Sequence, residues 1–387
     1  MIIVPVNKSL LYIEPVYQVM LNESEIPVLK KVIVASGNTV AIGDTLEAAL
    51  VNLFSDANSV DLEFIKKQLS KRRPSGKIET PRVEMDNFHI VSGIFNGYTT
   101  GEAISLIIEN NNVKSKDYED LAVIARPSHA DYVAYKKSHG FNDYRGGGHF
   151  SGRITAAIVA SGAILIQALS QKGIKIATHI KQCYDILDRD FSDILEDIDL
   201  INNKSFPVLD NIEENIIKRI TEIANKKDSV GGILQTAIVG LPVGLGDPWF
   251  SSVEGKLANA LFSIGGIKGV EFGQGFNYTN LLGSEANDEF YYDGDIVKTK
   301  TNNNAGINGG ITNGMPIIFN CAVKPTPSIG KNQNTINFKE LRETNIEISG
   351  RHDPAIVRRI AVVIDSICAF VIADLLAKRY GDDFLNF

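Results

Sequence analysis

Cysteine is scarce in this chain: three residues, Cys183, Cys321 and Cys368, sit far apart in 387. No CxxC pair and no even-numbered framework exist, which argues against a disulfide scaffold and against a metal or redox role. Reduced, buried thiols are the expected state. Basic residues are not in excess either. Thirty-nine Lys and Arg against 46 Asp and Glu give a net charge of −7, the wrong balance for a general nucleic-acid binder. A local arginine cluster can still hold a small anion. Long apolar runs are also missing. The longest, Ile154–Leu169, carries Thr155, Ser161 and Gln167 and is short for a bilayer, so a buried helix and no membrane association are expected. Asn7 and Lys8 break the first apolar stretch, so no signal peptide is expected and the cytoplasm is the default compartment.

What is present is an ordinary globular composition, 44% hydrophobic and 22% charged. Periodicity and capping predict strands at Ile2–Val6, Lys31–Ala35, Phe88–Phe95, Ala103–Ile108, Gly232–Leu241, Val270–Phe272 and Pro316–Val323. They predict helices at Thr45–Phe54, Asp61–Lys71, Ser151–Gln171, Asp210–Lys226, Ser252–Phe262 and from Pro354 to about Arg379. A long polar loop, Glu109–Gly148, lies between them. Strands and helices mix without a strict βαβ rhythm, which predicts an α+β fold.

Four clusters can carry chemistry. Arg126-Pro127-Ser128-His129-Ala130-Asp131-Tyr132 precedes Asp143-Tyr144-Arg145 and a glycine triplet that leads through His149 to Ser151-Gly152-Arg153. Glycines let a backbone approach a ligand, a helix start favours an anion, and Arg126, Arg145 and Arg153 offer forked donors. The plainer reading is a loop with solvated arginines and Ser151 as a helix cap. His129 and His149 can move protons near neutral pH, although a lone histidine is more often structural. Asn302–Gly314 is rich in Asn and Gly, which suits either a tight turn or the edge of a heterocycle. Lys324-Pro325-Thr326-Pro327-Ser328 offers a cation and two hydroxyls on a stiff loop, a weak phosphate signal. In Gly350-Arg351-His352-Asp353-Pro354, Asp353 and Pro354 read first as an N-cap and a first helical residue. Asp353 is otherwise a carboxylate able to accept a proton, with Arg351 beside it for substrate.

Taken together and in order, the strings RRP, TPRVEMD, SGIFNGYTTG, KSKDY, RPSHADY, DYRGGGHFSGR, LPVGLGDPWF, IKGVEFGQGF, TNNNAGINGGITNGMPI, KPTPSI and GRHDP resemble the chorismate synthase family from about Val60 to the C-terminus. The GHFSGR form, in place of GRSSAR, resembles one branch of that family. The resemblance implies a β-α-β sandwich and a homotetramer. It implies conversion of 5-enolpyruvylshikimate 3-phosphate (EPSP) into chorismate by 1,4-elimination of phosphate in the shikimate pathway. It also implies reduced FMN as cofactor, with NADPH as an associated reductant. No flavin reductase motif is evident, which leans toward externally reduced flavin. By motif match, Arg73, Arg126, Arg145, Arg153 and Arg351 would line the substrate site. His129 would donate a proton at the flavin, and Asp353 would take one at its N5. His129, Ser151, Asn304, Gly306, Lys324 and Ser328 would hold FMN.

The N-terminus departs from that pattern. Members begin with a strand and an SHG motif whose histidine protonates the leaving phosphate, and no SHG precedes Arg72. Ser138-His139-Gly140 falls after RPSHAD, so the role is not carried over, and His139 is expected to be merely exposed. Residues 1–55 resemble instead the C-terminal tail of a family of large bacterial membrane proteins. The expected division is therefore an unrelated segment, 1–57, and a chorismate-synthase-like domain, 58–387. Two functions follow: an active FMN-dependent lyase, or a fused remnant that binds FMN or substrate and turns over poorly. A binding module using the N-terminal segment for a protein partner is the third.

Overall fold

The computed structural model describes residues 2–6, 9–18, 28–36 and 39–43 by their backbone, and residues 59–74, 78–79, 85–109, 123–144, 150–348 and 353–381 in full. The expected helix Thr45–Phe54, Arg145, His149 and Arg351 lie outside the described residues. Two compact units result: residues 1–61 with 90–105 and 380–387, and residues 62–89 with 106–379.

In the first unit four strands, β1 (Ile2–Val6), β2 (Ser9–Gln18), β3 (Val28–Ser36) and β4 (Thr39–Gly43), form an antiparallel sheet in sequence order. Ile2 stands opposite Ile13, Val32 opposite Pro15, and Ser36 opposite Thr39. The strands expected at Ile2–Val6 and Lys31–Ala35 are both there. A short hairpin, Ile94–Phe95 with Tyr98–Thr99, turns on Asn96 and Gly97, whose φ values of 50 and 86° are those a two-residue hairpin turn requires. The single strand expected over Phe88–Phe95 is in fact two, Phe88–Ser92 and Ile94–Phe95. Gly93 breaks it at φ 81°, where a Cβ would lie 2.7 Å from the Ile104 Cα.

The second unit is built on a five-stranded sheet. Its elements in chain order are α1 (Leu62–Arg72), α2 (Asp131–Lys137), α3 (Thr155–Gln171), β5 (Lys175–Cys183), β6 (Ile186–Leu187), α4 (Ile194–Asn203), α5 (Glu213–Asn225), β7 (Gly232–Val239), α6 (Val253–Phe262), β8 (Ile267–Phe272), β9 (Ile317–Val323) and α7 (Val357–Tyr380). The strand order is β6-β5-β7-β9-β8, and every neighbouring pair is antiparallel. One face of the sheet buries Ala177, Ala237 and Val239 against Ile198 and Ile201 of α4 and Leu209. The other face presents Thr178 and Thr236 to Asp365 of α7. Adjacent strand residues point to opposite faces, so β5 serves both layers at once. Helix α7 is buried around most of its circumference, with Ile364, Ile372 and Leu376 fully covered. Each such side chain contributes about 1.5–3 kcal/mol. Gly162 of α3 lets the two helices meet: a Cβ there would sit 2.4 Å from the Ser366 Cβ. The α+β expectation holds.

The loop expected over Glu109–Gly148 contains α2. That helix is only seven residues long and amphipathic over less than two turns, too short to leave a periodic signal. Helix α7 begins at Val357, not at Pro354. Asp353 is therefore not its cap, because Pro354 and the next two residues stay outside the helix.

Candidate active site

Three arginines converge on one carboxylate at the end of α1. Asp86 is fully buried at its side chain and holds a left-handed φ of 47°. Arg72 Nη1 lies 3.5 Å from its Oδ2, Arg73 Nε lies 3.7 Å from the same oxygen, and Arg153 Nη1 pairs with Oδ1. Arg72 is itself buried and donates to Thr155 Oγ1 at 2.9 Å and to the Gly152 carbonyl at 2.9 Å. This fastens α1 to the first turn of α3. Ser151 caps the 3₁₀ turn Gly152–Ile154, its Oγ accepting from the Arg153 N–H. Arg73 Nε is buried with no hydrogen-bond partner among the described residues. Orphaned buried donors are rare, and this one lies just beyond hydrogen-bond reach of the Asp86 carboxylate.

A second cluster forms where the segment before α2 meets the loop after β9. Tyr135 of α2 stacks on Phe338 at 4.7 Å between centroids, which fixes the helix against that part of the chain. Ser128, at φ 59°, turns the chain so that Arg126, His129 and Asp131 face one another. Arg126 grips Asp131 with Nη2 at 2.7 Å and Nε at 2.8 Å, and donates to Ser328 Oγ at 3.3 Å. His129 Nδ1 lies 3.0 Å from Asp131 Oδ1. Burial pushes the Asp131 carboxyl up, but hydrogen bonds and charge from Arg126 and His129 outweigh it and hold the group well below the usual carboxylate range. Asp131 is thus a fixed anion that orients the histidine ring. Lys324 Nζ donates to the Ser128 carbonyl at 2.8 Å. Burial, then the charge of Lys268, lowers the Lys324 ammonium below its ordinary value. Thr326 Oγ1, between Lys324 and Ser328, is buried with no hydrogen-bond partner among the described residues.

The start of β7 ties the loops of both clusters to one end of the sheet. Val230 N–H donates to the Pro354 carbonyl at 2.8 Å, and Ser229 Oγ donates to the Thr326 carbonyl at 2.7 Å. Asp353 is thereby anchored beside the same strand end. Its Oδ2 accepts from Arg359 Nη1 at 2.6 Å. Arg73, Arg153, Ser151 and Asp353 share one network with α1, and Arg126, His129, Lys324 and Ser328 share the other.

Asn304 and Gly306 stand apart. Asn302 Nδ2 donates to the Pro316 carbonyl at 2.8 Å, which puts their turn at the start of β9, whereas Lys324 follows its end. Seven strand residues separate the two by about 23 Å. The turn satisfies itself: Asn304 Oδ1 accepts from Tyr278 at 2.9 Å, Asn304 N–H donates to Asp288 at 2.8 Å, and Gly306 N–H donates to Asn302 Oδ1 at 2.7 Å. Gly306 has φ 73°, and a Cβ there would lie 2.4 Å from the Met315 carbonyl oxygen. His139 is exposed, as expected, and with Gly140 closes α2 in left-handed conformations.

Sequence reading did not single out Asp86, Asp131 or Arg359. The first two lie inside the strings TPRVEMD and RPSHADY, where a carboxylate four or five residues after an arginine was the available signal. Arg359 lay within an apolar helical run and gave none. Among the described residues no group of His, Cys, Asp and Glu is arranged to hold a metal ion.

Comparison with known proteins agrees with this architecture. A solved structure titled "Crystal Structure of Chorismate Synthase" superposes with a TM-score of 0.65 at 25% identity, covering 96% of this chain and 94% of that one. Chorismate synthase of Pyrococcus abyssi is 44% identical over 320 residues, 83% of this chain and 89% of that protein. Chorismate synthase of Methanocaldococcus jannaschii is 42% identical over 353 residues, 87% and 92% of the two chains. The profile described as chorismate synthase matches residues 43–377, beginning inside the segment that sequence reading sets apart. With that match spanning most of its length, the chain belongs to the chorismate synthase family.

Proposed function

We propose that the chain converts EPSP into chorismate by 1,4-elimination of phosphate with reduced FMN, in the shikimate pathway. The observation that carries this reading is the paired arrangement at one end of the sheet. An arginine cluster with an orphaned donor, Arg73 Nε, stands beside a strand end that also anchors Asp353 and the Lys324–Ser328 loop. Arg73 and Arg153 would hold the substrate anion, joined by Arg126, Arg145 and Arg351. Elimination moves negative charge onto the departing phosphate, and preorganised guanidiniums stabilise that charge without reorganising. Asp353 would accept the proton, and His129, held by Asp131, would donate one.

The residues of the second cluster fit FMN. Lys324, the unpartnered hydroxyl of Thr326 and Ser328 suit a phosphate, while His129 suits a flavin ring edge. Reduced FMN, when bound, supplies the electron-rich ring that the family requires although the reaction has no net redox change. Externally reduced flavin is the expected source, with NADPH upstream. Asn304 and Gly306 would reach a flavin from a neighbouring copy in the proposed homotetramer. Around their turn Trp249, Phe250 and Phe276 are exposed, with Trp249 at 86%, Phe250 at 94% and Phe276 at 82%. Apolar side chains left open in this way mark interaction surfaces. The cytoplasm is the proposed compartment.

Titrating FMN with and without EPSP, and following flavin absorbance, tests the assignment. FMN should bind more tightly with EPSP present. Arg153→Ala should weaken EPSP binding roughly ten- to a hundredfold, the cost of a lost charge-assisted pair, and leave FMN binding less affected. No spectral change with either ligand would refute the reading.

A further inference from the structure

Asp353 is the proposed proton acceptor, yet it sits on irregular backbone four residues before α7 begins. It lies outside the helical hydrogen-bond ladder, and a side chain grips its carboxylate. Arg359, in the first turn of α7, provides that hold. Its Nη1 donates to Asp353 Oδ2 at 2.6 Å, and its Nε donates to the Arg72 carbonyl at 2.8 Å. Both side chains are 14% exposed. The Arg72 carbonyl is one of the unsatisfied acceptors that every helix leaves at its C-terminal end. One guanidinium fork therefore spans the carboxylate and the end of the helix that carries Arg72 and Arg73.

The neighbouring Arg358 has a different task. It pairs with Glu79 through Nε, donates to the Lys71 carbonyl at 3.1 Å through Nη1, and donates to the Arg73 carbonyl through Nη2. It closes the end of α1 and never touches Asp353 in the contacts described. The two adjacent arginines divide the work: Arg358 secures the helix end, and Arg359 joins that end to the carboxylate. The Arg72 side chain continues the path to Asp86, and Asp86 to Arg153.

We propose that Arg359 is a positioning residue for the elimination. It fixes the Asp353 carboxylate relative to the arginines that would hold the leaving phosphate. The proposal rests on the reading of Asp353 as proton acceptor. A lysine at 359 could reach one partner with its point charge but cannot copy the fork. Misplacing a reacting group by about 1 Å costs on the order of a hundredfold in rate, so Arg359 should act on kcat and spare KM.

Four full-length variants decide the matter: Arg359→Ala, Arg359→Lys, Asp353→Asn and the Arg359→Ala, Asp353→Asn double. Each is assayed for kcat and KM with EPSP and reduced FMN, with thermal unfolding and amide exchange over Ala355–Val357 as readouts independent of turnover. Arg359→Ala should lower kcat roughly ten- to a hundredfold and leave KM within about threefold. Arg359→Lys should recover part of the loss. The double variant should be no slower than Asp353→Asn alone. Amide exchange over Ala355–Val357 should rise in Arg359→Ala while the unfolding transition stays in place. The proposal is overturned if Arg359→Ala leaves kcat and exchange unchanged while Asp353→Asn is slow, or if the two losses multiply in the double variant. If Asp353→Asn turns over as fast as the unaltered chain, the proton-acceptor reading fails and takes the proposal with it, a result distinct from a silent Arg359→Ala.

Discussion

Asp365 is buried between α7 and the sheet, where Thr178 Oγ1 donates to it at 2.6 Å and Thr236 backs Thr178 at 2.8 Å. Burial raises its carboxyl to about 7, against the smaller opposing effects of the Thr178 hydrogen bond and the Lys71 charge. Lys71, facing it from α1, is lowered by its own burial. An unfolded carboxyl titrates near 4. Between about 4 and 7 the folded chain therefore holds a proton that the unfolded chain has lost. Stability is fully present below that window and declines through it by up to roughly 1.4 kcal/mol per pH unit. Asp365→Asn keeps an acceptor for Thr178 and removes the titration. Melting temperatures at pH 5 and pH 8 should fall less between the two for Asp365→Asn than for the unaltered chain, and parallel declines would contradict this. No sequence pattern revealed such a residue, since an aspartate in an apolar helix reads as its polar face. Asp353 was half legible: GRHDP marked it as a carboxylate of interest, but its partner Arg359 could not be read, because the pairing depends on where α7 begins.

At the scale of elements, the crossing of α3 and α7 is held by Gly162 against Ser366. Gly162→Ala would push a methyl group to 2.4 Å from the Ser366 Cβ and 2.8 Å from its Cα, and backbone cannot swing aside as a side-chain tip can. Overpacking of that kind costs about 1–3 kcal/mol. A melting temperature lowered by several degrees is the expected outcome, while Gly265→Ala, with nothing within 4 Å, should melt unchanged. Equal melting of the two variants would mean that the helices can part without penalty. The apolar helices and β7 and β9 were readable because their burial leaves runs or periods in the sequence. Strand β5 was missed, although it lies inside the sheet, because its buried run includes Thr178 and His179. His179 Nε2 pairs inside with Gln235 at 3.2 Å and its Nδ1 lies 3.4 Å from Asp188, contacts that a linear sequence does not reveal. The site motifs were legible as strings, and their division between opposite ends of β9 was not.

At the scale of the whole molecule, family membership fixes the chemistry to be tested, and the departure at the N-terminus sets a test of its own. No histidine in an SHG context precedes Arg72, and one positioned general acid is worth roughly 10²–10⁴ in rate. We propose that turnover is weak in the chain as it stands, for want of that acid. The most direct measurement is anaerobic turnover of EPSP with reduced FMN, following chorismate and released phosphate together. It is made on the unaltered chain and on one in which residues 1–58 are replaced by a family N-terminus carrying SHG. Chorismate and phosphate should appear in equal amounts, with the grafted chain at least about a hundredfold faster. Equal and substantial rates in both would overturn the role given to the missing histidine, and no chorismate from either chain would contradict the assignment itself.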